Sequence, residues 1–223
     1  MTVERRREIV RDAVGIGVAT GAYGLSFGAL SMTAGLSLAQ TCALSLLMFT
    51  GASQFALVGV VGAGGAWVAA AASAVLLGTR NALYGLRMAP VLDLAGGRRL
   101  AGSHLVIDES TAMGIAHEES GHGPLGFFST GLAVFVFWNL GTLLGALGAR
   151  VIPAPETLGL DAAVPAAFIG LLAPRLKARE PWAIAAAAAS VALVLTPLLP
   201  VGVPVIASAL VAIVAGARAR RSA

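Results

Sequence analysis

Apolar runs of about twenty residues recur along this chain, each ended by glycines, prolines or clustered arginines. A run of that length is what a helix needs to cross a bilayer. The segments read as Ala13–Ala34, Ser37–Val61, Ala66–Met88 (stopped by Pro90), Leu125–Ile152, a short Ala162–Pro174, Trp182–Leu199 and Val203–Gly216. Prolines at 197, 200 and 204 turn the chain between the last two. The first segment carries Gly15, Gly17, Gly21, Gly24 and Gly28, and small residues let helix backbones approach closely in lipid. The expectation is an all-α polytopic membrane protein. It has seven transmembrane segments, or eight if Leu100–Ala116 crosses as well, with one or two helices discontinuous or re-entrant.

Composition narrows the class further. Hydrophobic residues make up 57% and charged residues 12%, about half the charge of an ordinary soluble domain. A soluble enzyme is excluded on that ground, and so is a disordered chain, which would be poor in apolar residues. Net charge is +4, but the basic residues cluster at segment ends, with no basic stripe interleaved with aromatics. Nucleic acid is therefore not an expected partner. Cys42 is the single cysteine, so no intrachain disulfide forms, and an inert buried thiol is expected. The N-terminal arginines followed by an apolar run resemble a signal peptide. The run is longer than a signal's apolar core and more spans follow, so it reads as a retained first helix. One integral membrane domain is expected over 1–223, with a cytoplasmic basic stretch over 1–12 and a basic tail over 217–223.

Basic residues also orient the chain. Arg5, Arg6, Arg7 and Arg11 place the N-terminus in the cytoplasm, and Arg218, Arg220 and Arg221 place the C-terminus there. Arg175, Lys177 and Arg179 form a third basic loop on the same side. Seven simple crossings would put the two ends on opposite sides. One segment is therefore miscounted or re-entrant. Leu100–Ala116 and the short fifth segment are the two places to look.

Polar groups inside apolar segments are costly and mark pathways or structural pairs. Segment two holds Phe49-Thr50-Gly51-Ala52-Ser53-Gln54-Phe55. Two readings stand side by side: a discontinuous helix whose freed N–H groups hold a carboxylate, or a helix contact in which Ser53 and Gln54 bond a neighbour. Pro165, with Phe168 nearby, marks a second interruption that could pair with Gly51, or simply a helix start. Arg80 lies inside segment three, with Tyr84 and Arg87 on the same face. It needs a counter-ion, and Asp108 or Glu109 is the nearest choice, for transport or for structure alone. The two acids are also proton-coupling candidates, or else belong to a solvated loop. His117 and His122 among Glu118 and Glu119 match a metal cluster only loosely, and a solvated loop is the simpler account. Asn139, next to Trp138, faces either a neighbour or a pore. The sequence has no Walker A stretch, His-Glu-x-x-His, Gly-x-Ser-x-Gly or potassium-filter sequence. Neither enzymatic activity nor a cofactor or metal is expected.

Several stretches together resemble one family. They are Gly21-Ala-Tyr-Gly-Leu-Ser-Phe-Gly28; Gly35-Leu-Ser37, then Ser45 through Gly51-Ala-Ser-Gln-Phe55; Thr79-Arg80-Asn81-Ala-Leu-Tyr84; Asp108-Glu109; Trp138 with Gly141-Thr142-Leu-Leu-Gly145; and Gly159-Leu-Asp161 through Pro165-Ala-Ala-Phe168. They are similar to the AzlC family, the large subunits of azaleucine-resistance, branched-chain amino acid permeases, from about Gly21 to Pro174. The resemblance implies a cytoplasmic-membrane exporter of leucine, isoleucine or valine, driven by protons, with a small AzlD-type membrane partner. Asn81 stands where histidine is common in that family, and asparagine cannot titrate. The substrate is expected on Gly51, Ser53, Gln54, Phe55, Pro165 and Phe168, with Arg80, Asn81, Tyr84, Asp108 and Glu109 as coupling or ion-pair groups. The alternatives are a non-transporting membrane scaffold and a permease for another small solute.

Overall fold

A computed structural model describes residues 3–151, 169–170, 172–173 and 176–219. Among the described residues there are helices and no strands. In chain order they are α1 (Val3–Thr33), α2 (Leu38–Leu47), α3 (Ala52–Gly62), α4 (Trp67–Leu92), α5 (Gly96–His104), α6 (Asp108–Ala116), α7 (Gly123–Val151), α8 (Arg179–Leu195) and α9 (Val203–Ala219). Two of them, α1 and α7, are long and apolar enough to cross a membrane.

α1 and α7 form the spine, and the glycines of the first apolar run explain it. Gly17 faces Ala133, Gly21 faces Phe137, Gly24 faces Trp138 and Gly28 faces Thr142, while Gly141 and Gly145 of α7 return the contact to Gly21 and Leu25. The numbers rise together, so the two helices run parallel. A Cβ at Gly24 would come within 2.7 Å of the Trp138 carbonyl oxygen, closer than a real side chain packs. The stripe of small residues is what permits this backbone approach.

Two helical hairpins complete the bundle. α1 finishes at what we term the upper end. α2 departs from it, and α3 returns to it, because Gly62 lies against Ala34 just beyond α1. α4 then descends antiparallel to α3, with Gly78 opposite Ser53. From the lower end α5 rises and α6 comes back: Gly114 packs on Met88, and Gly123 on Val91 at the foot of α4. Each hairpin thus enters and leaves by one end, and the two enter from opposite ends. α8 and α9 form a separate pair whose turn sits at the upper end, where Gly202 meets Val60 and Ala69.

Several expectations are corrected. Ser37–Val61 is not one span but α2 and α3, broken at Gly51 with φ +56°. Leu100–Ala116 does not cross. It is divided at Leu105–Ile107 between α5 and α6, nine residues each, and nine residues rise only about 13–14 Å. α4 does not stop before Pro90 but continues to Leu92, ending at Asp93 in the left-handed region. A proline disturbs the carbonyl one turn before it, and here only a few residues remain to the helix end. Most of the short fifth segment, Pro165 and Phe168 included, lies outside the described residues.

Candidate functional site

The two hairpin tips meet in the middle of the bundle. α3 starts after Gly51, whose φ of +56° is a conformation glycine adopts without a Cβ clash. This turns the chain from α2 so that the first N–H groups of α3 point away from any helical acceptor. Gln54, fully buried, fastens the break: Gly51 N–H donates to its Oε1 at 3.1 Å, and its Nε2 donates to the Leu44 carbonyl at 3.0 Å. α6 begins in the same way. Ile107 N–H donates to Ser110 Oγ at 3.1 Å, and Ser110 donates to the Leu105 carbonyl at 2.6 Å.

Arg80 joins both tips from α4. Its Nη2 lies 3.0 Å from Asp108 Oδ2 and donates to the Thr50 carbonyl at 3.4 Å. The expected partner choice is thereby settled in favour of Asp108, with Glu109 beside it. Arg80 and Asp108 keep 28% and 22% of their side chains accessible, so the pair faces an open space rather than a sealed core.

That space is a cavity of about 130 Å³, roughly ten times what a single water requires. Backbone and side chains of Thr50, Gly51, Ala52, Arg80, Asp108 and Glu109 make its polar wall. Phe49, Phe55, Ile107, Val134 and Trp138 make an apolar one, with half-exposed Tyr23 and Thr20 from α1. Phe27, Phe55 and Trp138 pack ring on ring behind it, with centroids about 6 Å apart, a separation at which aromatic pairs attract.

The two helix starts differ in charge. α6 carries Asp108 and Glu109 in its first turn, whereas α3 carries no acid there. A helix N-terminus bears roughly half a positive charge. At α6 that charge is answered by the helix's own acids; at α3 no acid of the first turn answers it, and Arg80 lies alongside. Glu109 makes no salt bridge among the described residues.

Of the residues expected from sequence, Gly51, Phe55, Arg80, Asp108 and Glu109 come together around the cavity. Ser53 and Gln54 do not line it: Ser53 is buried toward Gly78, and Gln54 bridges the break. Asn81 donates to the Val106 carbonyl at 3.0 Å, bracing the second tip from behind. Tyr84 packs near Met88 and Phe127 lower in the bundle. Pro165 and Phe168 lie outside the described residues. Asn139 bonds back to Phe135 within α7, and Glu118 pairs with Arg87. Among the described residues no group of three His, Cys, Asp or Glu is placed to hold a metal ion. Sequence reading missed Thr20, Ile107, Val134 and the second break. The signal for that break was present: two acids followed by Ser110, directly after the apolar pair Val106-Ile107, mark a helix start.

An Arg80–Asp108 ion pair between two interrupted helices resembles the arrangement of binding sites in membrane transport proteins. The family model described as AzlC protein matches residues 15–152, more than half of the 223 residues, and the chain belongs to the AzlC family. That is a membrane protein family connected with branched-chain amino acid transport. No curated protein and no solved structure matches the chain.

Proposed function

We propose that this chain is the large subunit of a multi-pass exporter of leucine, isoleucine and valine in the cytoplasmic membrane, driven by protons and working with a small AzlD-type membrane partner. The observation that carries the reading is the asymmetry of the two helix starts around one cavity. An α-amino acid is a zwitterion with an apolar tail. Its carboxylate matches the acid-free N-terminus of α3 and Arg80. Its ammonium matches Glu109 and Asp108, and the tail matches Phe49, Phe55, Ile107 and Val134. Glu109, without an ion-pair partner among the described residues, is also the group best placed to exchange the ammonium for a proton.

The membrane placement rests on charge. Arg5, Arg6, Arg7 and Arg11 at the foot of α1, Arg98 and Arg99 at the start of α5, Arg179 at the start of α8 and Arg218 near the end of α9 gather at the lower end, while Arg80 lies mid-bundle and Arg150 at the upper end. Under the positive-inside rule that end is cytoplasmic. The start of α1 and the end of α9 then lie on the cytoplasmic side, and α2–α3 and α5–α6 each enter and leave by one end.

Efflux from cells loaded with a leucine- or valine-containing dipeptide tests the function. The chain alone, the chain with an AzlD-type partner and empty vector are compared. Faster efflux with the partner is expected. Unchanged efflux, with both proteins present in the membrane, removes the branched-chain assignment.

A further inference from the structure

We propose that Gln54 and Ser110 are equivalent positioning residues, each clasping one broken hairpin so that its half-helix presents its first turn to the cavity. This rests on the reading of the cavity as an amino-acid site. The two residues differ in size, chemistry and hairpin, yet they do the same thing. Each is the third residue of its helix. Each accepts a bond from the backbone N–H of the residue before the helix, Gly51 or Ile107. Each donates to a carbonyl in or just after the preceding helix, Leu44 or Leu105. Both are fully buried, and neither lines the cavity.

The physical need is the same at both places. A helix that stops and restarts in an apolar surrounding leaves N–H and carbonyl groups without partners, each costly to bury. Water is the usual remedy, but water at the break would compete for the N–H groups that face the ligand. A side chain acting as donor and acceptor at once satisfies the groups behind the break and leaves those in front free. The two hairpins enter from opposite ends of the bundle, so the clasps hold the two faces of one cavity from opposite directions, with Arg80 bonded to both tips. Side chains that fill this role need one donor and one acceptor in reach, which serine and glutamine supply and aliphatic residues do not.

The test uses the full chain in lipid nanodiscs and reads two things: backbone amide exchange by mass spectrometry, and binding of L-leucine and L-valine by titration calorimetry. Gln54→Leu is expected to speed exchange over residues 48–55 by about tenfold, and Ser110→Ala to do so over 105–111, with α1 and α7 unchanged. Each variant is expected to weaken amino-acid binding by about fivefold to tenfold. Ser110→Thr keeps the hydroxyl and should behave like the parent in both readouts. The Ser110 variants alter a single small group and carry the test if Gln54→Leu does not accumulate. Exchange unchanged at the breaks, exchange raised uniformly through α1 and α7, or looser breaks with unaltered binding would each overturn the proposal. If the parent binds neither amino acid, the proposed substrate fails instead, and the locality of exchange alone decides the clasp.

Discussion

The break at Gly51 and the break at Ile107 are built alike and charged oppositely. Both are clasped by the third residue of the following helix, and both touch Arg80. But α3 opens with Ala52 and Ser53, whereas α6 opens with Asp108 and Glu109. The backbone also differs: Gly51 is left-handed, while Ile107 is extended at φ −132°, a conformation any residue adopts. The difference teaches that the scaffold of a site and its polarity are separable. Hydrogen-bond geometry makes the two openings, and two carboxylates give the α6 opening its negative charge.

Breaking the shared centre gives the largest expected effect. Arg80→Gln removes the ion pair and the bond to the Thr50 carbonyl, and it leaves Asp108 without this cation. Leucine efflux should fall by about a hundredfold or more, because charge-assisted contacts at a ligand contribute roughly 1.5–3 kcal/mol each. The double variant Arg80→Gln, Asp108→Asn should restore protein level in the membrane and leave efflux absent. Recovery of efflux in the double variant would reduce the pair to a structural role.

Making the two openings alike should come next. Ala52→Asp places an acid at the start of α3, as in α6. It occupies the position proposed for the substrate carboxylate, so leucine binding by calorimetry should weaken by about thirtyfold or more. Binding at the parent's affinity would show that the carboxylate sits elsewhere. In the opposite direction, Glu109→Gln removes charge from the acidic opening. Leucine affinity should drop about tenfold, while a keto-acid analogue lacking the ammonium should be affected far less. Equal loss for both ligands would contradict the assigned orientation.

Backbone geometry supplies a smaller effect. Gly51→Ala adds a Cβ in the left-handed region and should cost roughly 1–2 kcal/mol, seen as a lower thermal midpoint in nanodiscs. Ile107→Ala needs no strained conformation, so its cost should come from lost apolar burial alone. Smallest of all, Ser53→Ala should change efflux by less than about twofold, since Ser53 is buried toward Gly78 and not the cavity. A large loss there would move the site behind α3.

The sequence was most informative where local chemistry decides the outcome. Glycine spacing in the first apolar run announced a close helix approach, because small residues permit it, and the structure supplies α7 as the partner. Arg80 announced a counter-ion, because an unpaired cation in an apolar run is costly, and Asp108 is that partner. The break at Gly51 was one of two open readings, and the structure contains it. Ser53 and Gln54 beside that break fit either a ligand or a hydrogen bond to a neighbouring helix. Gln54 proved to serve the break itself, a choice that depends on where the Leu44 carbonyl lies. The second break is easily passed over because Asp108 and Glu109 read equally as charges interrupting one apolar stretch and as the first turn of a new helix.

By itself the sequence determined an apolar, helical, glycine-packed chain with charge confined to a few places, because solvation cost and backbone sterics act residue by residue. Only the tertiary structure decided that the two interrupted segments turn back rather than cross. That depends on Gly62 finding Ala34 and Gly123 finding Val91, contacts between residues far apart in the chain. The same long-range packing brings Thr50, Arg80 and Asp108 together, and with them the cavity, which no local pattern encodes.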